Sequence, residues 1–250
     1  MMTKTNMIYG LRPVYEALAA GKEIEKVLIQ KGLRGPLYSD VWQLIKSYGV
    51  PSQFVPVEKL NATTRANHQG LIAFLSPIEY QDITSIVPLL FEQGKMPFFL
   101  FLDRITDVRN LGAIARTADC SGVHALIVPA RGSALITADA VKTSAGALHH
   151  LPVCRSHQPE HTLRYLKESG LRIAAVTEKS QTLYHKADLT GPVVLVMGSE
   201  EDGISRNLLD LADERLAIPV LGQISSLNVS VAAGVLMYEV LRQRRERTTG

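Results

Sequence analysis

The chain has 250 residues, 46% of them hydrophobic and 20% charged, with a net charge of +3, which is enough apolar material for a globular protein of one or two domains. No apolar run reaches the roughly 18 residues of a membrane span, and the opening MMTKTNMIYG lacks the apolar stretch of a signal peptide. The two cysteines, Cys120 and Cys154, are too few for a disulfide framework, so a cytoplasmic protein without redox chemistry is expected.

In chain order, IYGLRPVYEALAAG predicts a helix ended by Gly21, IEKVLIQ a strand, YSDVWQLIKSYGV a helix and QGLIAFLS a strand. Residues 1–78 therefore read as a small α/β domain. It holds nine Lys/Arg against five Asp/Glu, whereas the remainder holds 18 against 19. A basic module joined to a near-neutral one points to a polyanionic partner such as nucleic acid, with solvated surface charge as the plain alternative. Residues 79–97, closed by Gly94 and Pro97, suit a linker that includes a short helix.

From Phe98 onward, apolar strands (FFLFLD, ALIVP, RIAAVT, VVLVMG, RLAIPV) alternate with helices predicted over 110–121, 138–149 and 205–211 and from Leu227. Continuous apolar strands between helices imply an α/β fold whose mostly parallel sheet is covered on both faces. Ligands on such sheets sit beyond the carboxyl ends of the strands, which directs attention to the loops after Asp103, Gly198 and Val220.

Known nucleotide signatures fail. G-x-G-x-x-G is absent, and GSEEDGIS carries Ile204 where a phosphate-binding loop requires lysine. The stretch HHLPVCRSHQPEH lacks metal-ligand spacing, so no metal is expected.

In the first of the three loops, Asn110 is either a helix N-cap or a ligand contact. Gly112 in the first turn is tolerable if something must approach the backbone. Arg116 stands among alanines and Ile114, so it either reaches into a cleft or makes a structural ion pair. In the second loop, Glu200 stands closest to the strand end, while Glu201 and Asp202 are either solvated or helix-capping acids or part of the site. SSLNVS in the third needs one serine for capping, which leaves Ser226 and Asn228 for ligand contact.

NLGAIAR, LVMGSEEDGIS and IPVLGQISSLNVSVAAG, in that order, resemble the three motifs of the SpoU/TrmH (SPOUT) family of RNA ribose 2′-O-methyltransferases. Val108 departs from the proline that many members carry there. The N-terminal stretches IYGLRPVYEAL and NHQGLIAFL resemble the RNA-binding domain of RlmB-type enzymes, which methylate a guanosine of bacterial large-subunit (23S) rRNA. The resemblance implies an N-terminal RNA-binding domain (1–78) and a catalytic SPOUT domain (98–250) with a trefoil knot, an exception to the rule that chains avoid knots. It implies S-adenosylmethionine bound near Gly198, Ile218 and Leu227. Asn110, Arg116, Glu200, Ser226 and Asn228 would be the catalytic residues, with Arg116 positioning phosphate and stabilising developing alkoxide. A homodimer is implied through the catalytic domain, with Val231, Val235 and Tyr238 as candidate contacts. A tRNA ribose methyltransferase and a noncatalytic RNA-binding assembly factor are the alternatives.

Overall fold

A computed structural model describes residues 7–249, and these divide into two compact units. The first spans residues 7–79 and takes in Leu135–Ala138. Its sheet has β1 (Met7–Tyr9), β2 (Ile24–Gln30), β3 (Ser52–Val55) and β4 (Leu71–Leu75) in the order β1-β4-β2-β3, and only the β2/β3 pair is parallel. Alternation along β2 divides the core, because successive side chains of a strand point to opposite faces. Val27 and Ile29 join Val14 and Leu18 of α1 (Leu11–Ala19) and Val41 and Ile45 of α2 (Pro36–Ser47). Leu28 faces the other way, toward Leu60 of α3 (Val57–Thr63).

The elements β1, β3 and α3 were not legible in the sequence. β1 and β3 are edge strands of three and four residues, and α3 buries one side chain, Leu60, so none carries a periodic apolar signal. Leu135–Ala138 is also unexpected in this unit; there the Ile136 N–H donates to Oε2 of the buried Glu25 (3.3 Å).

The second unit holds Tyr80–Ala134 and residues 139–249. Six strands, β5 (Phe98–Leu102), β6 (Ala125–Pro129), β7 (Val153–Ser156), β8 (Arg172–Val176), β9 (Val193–Met197) and β10 (Glu214–Leu216), form one parallel sheet in the order β10-β8-β9-β5-β6-β7. The central β5 and β9 are buried at every position, which is why they read as unbroken apolar runs. Phe99, Phe101, Val194 and Val196 pack with residues of α4 (Ile83–Glu92), α7 (Pro159–Glu168) and α8 (Arg206–Leu209). The long helices α5 (Val108–Ser121) and α9 (Val229–Thr249) pack against each other.

The stretch expected as a linker carries the expected helix, α4, and its Ile83, Val87 and Leu90 are part of this unit's core. Strand order reverses between β5 and β9, so their carboxyl ends flank a topological switch point, where open α/β sheets form ligand crevices. Among the described residues no helix is long and apolar enough to cross a membrane.

Candidate active site

Two clefts open beside these strand ends. The larger, about 290 Å³, is walled by Val176, Met197, Gly198, Ile218, Val220 and Leu227, with Thr177, Glu178, Lys179, Ser225 and Ser226 as polar lining. All three residues expected at a cofactor therefore line one cleft, together with Ser226. The smaller, about 240 Å³, is lined by Arg104, Thr106, Asp107, Asn110 and Gly132. Ser199, Glu200, Glu201, Asp202 and Val229 border both, so the turn after β9 forms the ridge between them.

Glu200 is the centre of that ridge. Its Oε1 accepts from Asn228 Nδ2 (2.6 Å), Asn110 Nδ2 (3.2 Å) and the Val229 N–H (3.4 Å), and Asn228 Nδ2 also donates to Asn110 Oδ1 (3.0 Å). Three donors on one oxygen hold the carboxyl in a single orientation, and buttressing of this kind is what a preorganised site requires. The sequence expectation thus divides. Asn110, Glu200 and Asn228 come together, Ser226 lines the larger cleft without joining their network, and Arg116 lies exposed on α5 and lines neither cleft. Asn110 and Arg116 stand six positions apart on the helix, about 9 Å along the axis and about 120° around it. They cannot share a face. Arg116 makes no ion pair among the described residues, so its structural alternative also lacks a partner.

Local physics settles three further readings. Asp107, not Asn110, caps α5, its Oδ1 accepting from the Arg109 N–H (2.6 Å), which leaves the Asn110 amide for the ridge. At α9 the cap is Asn228 rather than a serine, because its Oδ1 accepts from the Ser230 N–H (3.0 Å) and its backbone carbonyl takes the first helical bond from Ala232 (2.9 Å). Gly112 is small because α6 (Ala138–Thr143) approaches it: a Cβ there would lie 2.6 Å from Thr143 Cβ. The neighbour is protein, not ligand. A similar requirement holds at Gly198, where a Cβ would lie 2.2 Å from the Gly203 carbonyl carbon as the turn closes on itself.

Sequence reasoning missed Arg104. Its guanidinium donates through Nη1 to Asp202 Oδ2 (3.1 Å) and through Nη2 to the Gly203 carbonyl (3.1 Å), while the buried Asp103 accepts the Ser205 N–H (2.7 Å). The only available signal was a charged pair directly ending the apolar run FFLFL. Elsewhere, burial and then Asp82 push the Cys154 thiol up to about 12, so it is no nucleophile at neutral pH. Among the described residues no three His, Cys, Asp or Glu side chains are grouped to hold a metal ion.

Comparison with known proteins gives this geometry a family. Residues 97–238 match the SpoU rRNA methylase family, and residues 7–81 match the RNA 2′-O ribose methyltransferase substrate-binding domain. A protein of Staphylococcus saprophyticus named as a TrmH family tRNA/rRNA methyltransferase is 37% identical over 238 residues, covering 95% of this chain and 96% of that one. The solved AdoMet-bound rRNA methyltransferase of Sinorhizobium meliloti superposes with a TM-score of 0.61 at 26% identity, covering 95% of this chain and 87% of that one. The TrmH/SpoU tRNA modifying enzyme of A. aeolicus superposes with a TM-score of 0.56 at 31% identity and covers 66% of this chain and 85% of its own. With both domain models matched in order and a relative aligned along nearly its whole length, the chain belongs to the SpoU family of RNA methyltransferases.

Proposed function

We propose that the chain transfers a methyl group from S-adenosylmethionine to a ribose 2′-hydroxyl of RNA, with a guanosine of bacterial large-subunit rRNA as the target. The observation that carries this reading is the Glu200 ridge, fixed by Asn110 and Asn228 between two adjoining clefts. The larger cleft fits the cofactor, since Val176, Met197, Ile218 and Leu227 offer apolar walls to a purine, and the three acids of the ridge together with Glu178 outweigh the single cation, Lys179, which leaves a favourable field for a cationic sulfonium. When bound, the cofactor supplies an electrophilic methyl group, and in-line displacement at that carbon needs no metal.

The chain's own work is orientation. Asn110 and Asn228 lock Glu200 beside the smaller cleft, where a nucleotide enters. Alignment of the reacting hydroxyl is worth several orders of magnitude in rate. Ser226, on the cofactor side, adds a hydroxyl to the same alignment. The exposed position of Arg116 supports contact with an RNA phosphate, for which a planar guanidinium is well shaped, better than direct stabilisation of the alkoxide.

The first unit, with its excess of basic residues, binds the RNA. Its presence favours rRNA over tRNA as substrate, since the rRNA enzyme of S. meliloti matches 95% of this chain and the tRNA enzyme only 66%. Exposed Val231 and Tyr238 on α9 support homodimerisation through the second unit, which sedimentation of the intact chain checks.

Methyl incorporation into purified rRNA and tRNA from a strain lacking the gene tests the function. Labelled large-subunit rRNA with one alkali-resistant linkage is expected. Label in tRNA alone would replace the substrate, and label in neither would leave an RNA-binding factor.

A further inference from the structure

We propose that Arg104 is a positioning residue for methyl transfer, holding the Ser199–Gly203 turn and thereby setting where the Glu200 carboxylate meets Asn110 and Asn228. The inference rests on the reading of Glu200 as part of the transfer site.

Arg104 adopts a φ of 58°, in the left-handed region that non-glycine residues occupy at a cost. Such strain persists where the surroundings over-determine it, and here the side chain supplies the reason. The backbone turn places the guanidinium so that its two terminal nitrogens reach different parts of one hairpin, the Asp202 carboxylate and the Gly203 carbonyl, each at 3.1 Å. That carbonyl also accepts the Ser199 N–H (3.1 Å), and Gly203 N–H returns a bond to the Ser199 carbonyl (3.0 Å). A further bond runs from the Asp202 N–H to Ser199 Oγ (3.1 Å). Glu200 lies inside this closed turn.

Asp103 completes the staple on the far side through Ser205, so two consecutive residues leaving β5 grip both the acid and the backbone of the loop leaving β9. Among the described residues Arg104 is also the only Lys or Arg lining the smaller cleft, whose lining includes the acids Asp107, Glu200, Glu201 and Asp202. Lysine would keep the charge but could not span carboxylate and carbonyl as a planar fork does. The side chain acts through the turn, and its contribution to the reaction is therefore geometric.

Arg104→Gly and Arg104→Lys in the full chain test this. Glycine accepts the left-handed backbone, so the thermal midpoint should hold or rise. By contrast, kcat for RNA methylation should fall roughly ten- to a hundredfold, the scale of a small misplacement of reacting groups, with little change in KM for RNA. Arg104→Lys should fall between that variant and wild type. In a Glu200→Gln background, Arg104→Gly should cost far less, because its effect passes through Glu200. Independently of turnover, hydrogen exchange at the Asp202 and Gly203 amides should quicken in Arg104→Gly. An unchanged kcat, or costs that simply multiply in the double variant, would overturn the proposal. Should the wild type methylate no RNA at all, the reading of the site fails instead, and amide exchange alone then decides whether Arg104 holds the turn.

Discussion

Asn228 does two things with one amide: its oxygen caps α9 and its nitrogen holds Glu200 and Asn110. Asn228→Asp separates them. Aspartate caps as well as asparagine, but it replaces the donor facing Glu200 with a second acid. The variant should keep its helix start and lose most methyl transfer, whereas Asn228→Ala should lose transfer and also about 1 kcal/mol of stability with the cap. Thermal unfolding and methyl incorporation on the same samples check both, and full activity in Asn228→Asp would remove the network from the chemistry. Asn110, Glu200 and Asn228 were legible in the sequence because each follows shortly after an apolar strand of a predicted parallel sheet. Arg104 was not, since its role depends on a backbone angle and on partners 98 and 99 residues away, and in sequence it reads as a surface charge. Arg116 stood out as an unusual residue, but helical phase puts it on a different face from Asn110.

Among the elements, the parallel strands were the most legible, because burial on both faces demands continuous apolar runs. Boundaries were less so. α5 begins at Val108 because Asp107 caps it, and an asparagine three residues on offers an equally good capping residue by type. At the start of β5 the structure sets up a pH dependence. His124 Nδ1 accepts the Phe98 N–H (3.1 Å), and burial, then the positive charges of Arg244 and Lys95, lower its pKa. A depressed folded-state pKa gives stability that is present above the unfolded value, about 6.5, and is lost as pH falls through the folded value. The wild type should therefore lose more thermal stability between pH 7 and pH 5 than His124→Asn, whose neutral amide still offers an acceptor. Equal losses in thermal scans at the two pH values would show that another group carries the acid sensitivity.

At the scale of the molecule, the division near residue 79 was visible as a change in charge and in strand character. Two features were not. α4 gives its apolar face to the second core, and Leu135–Ala138 returns to the first unit. Periodicity within a short segment reports that a face is buried without saying against what. The charge of the first unit carries its own expectation: a fragment beginning at Tyr80 should bind RNA more weakly than the full chain, with a shallower dependence on salt. For every phosphate that the fragment no longer neutralises, the slope of log K against log salt should fall by roughly 0.7 for single-stranded RNA. Titrations at several salt concentrations measure this, and an unchanged slope would place the main RNA-binding surface on the second unit.

The chain separations of the bonds on Glu200 carry an expectation for the order of events during refolding. The partner Asn228 lies 28 residues along the chain from Glu200, whereas the bond between Glu200 and Asn110 closes 90 residues, a difference of about 1 kcal/mol in loop-closure entropy. The larger cleft is built from residues 176–232, but the smaller one must bring Arg104 and Asn110 to the turn at Glu200. After dilution from denaturant, binding of S-adenosylmethionine should return before methyl transfer does. A stopped-flow comparison of the two signals would show a chain that first recovers its grip on the donor and only later can use it.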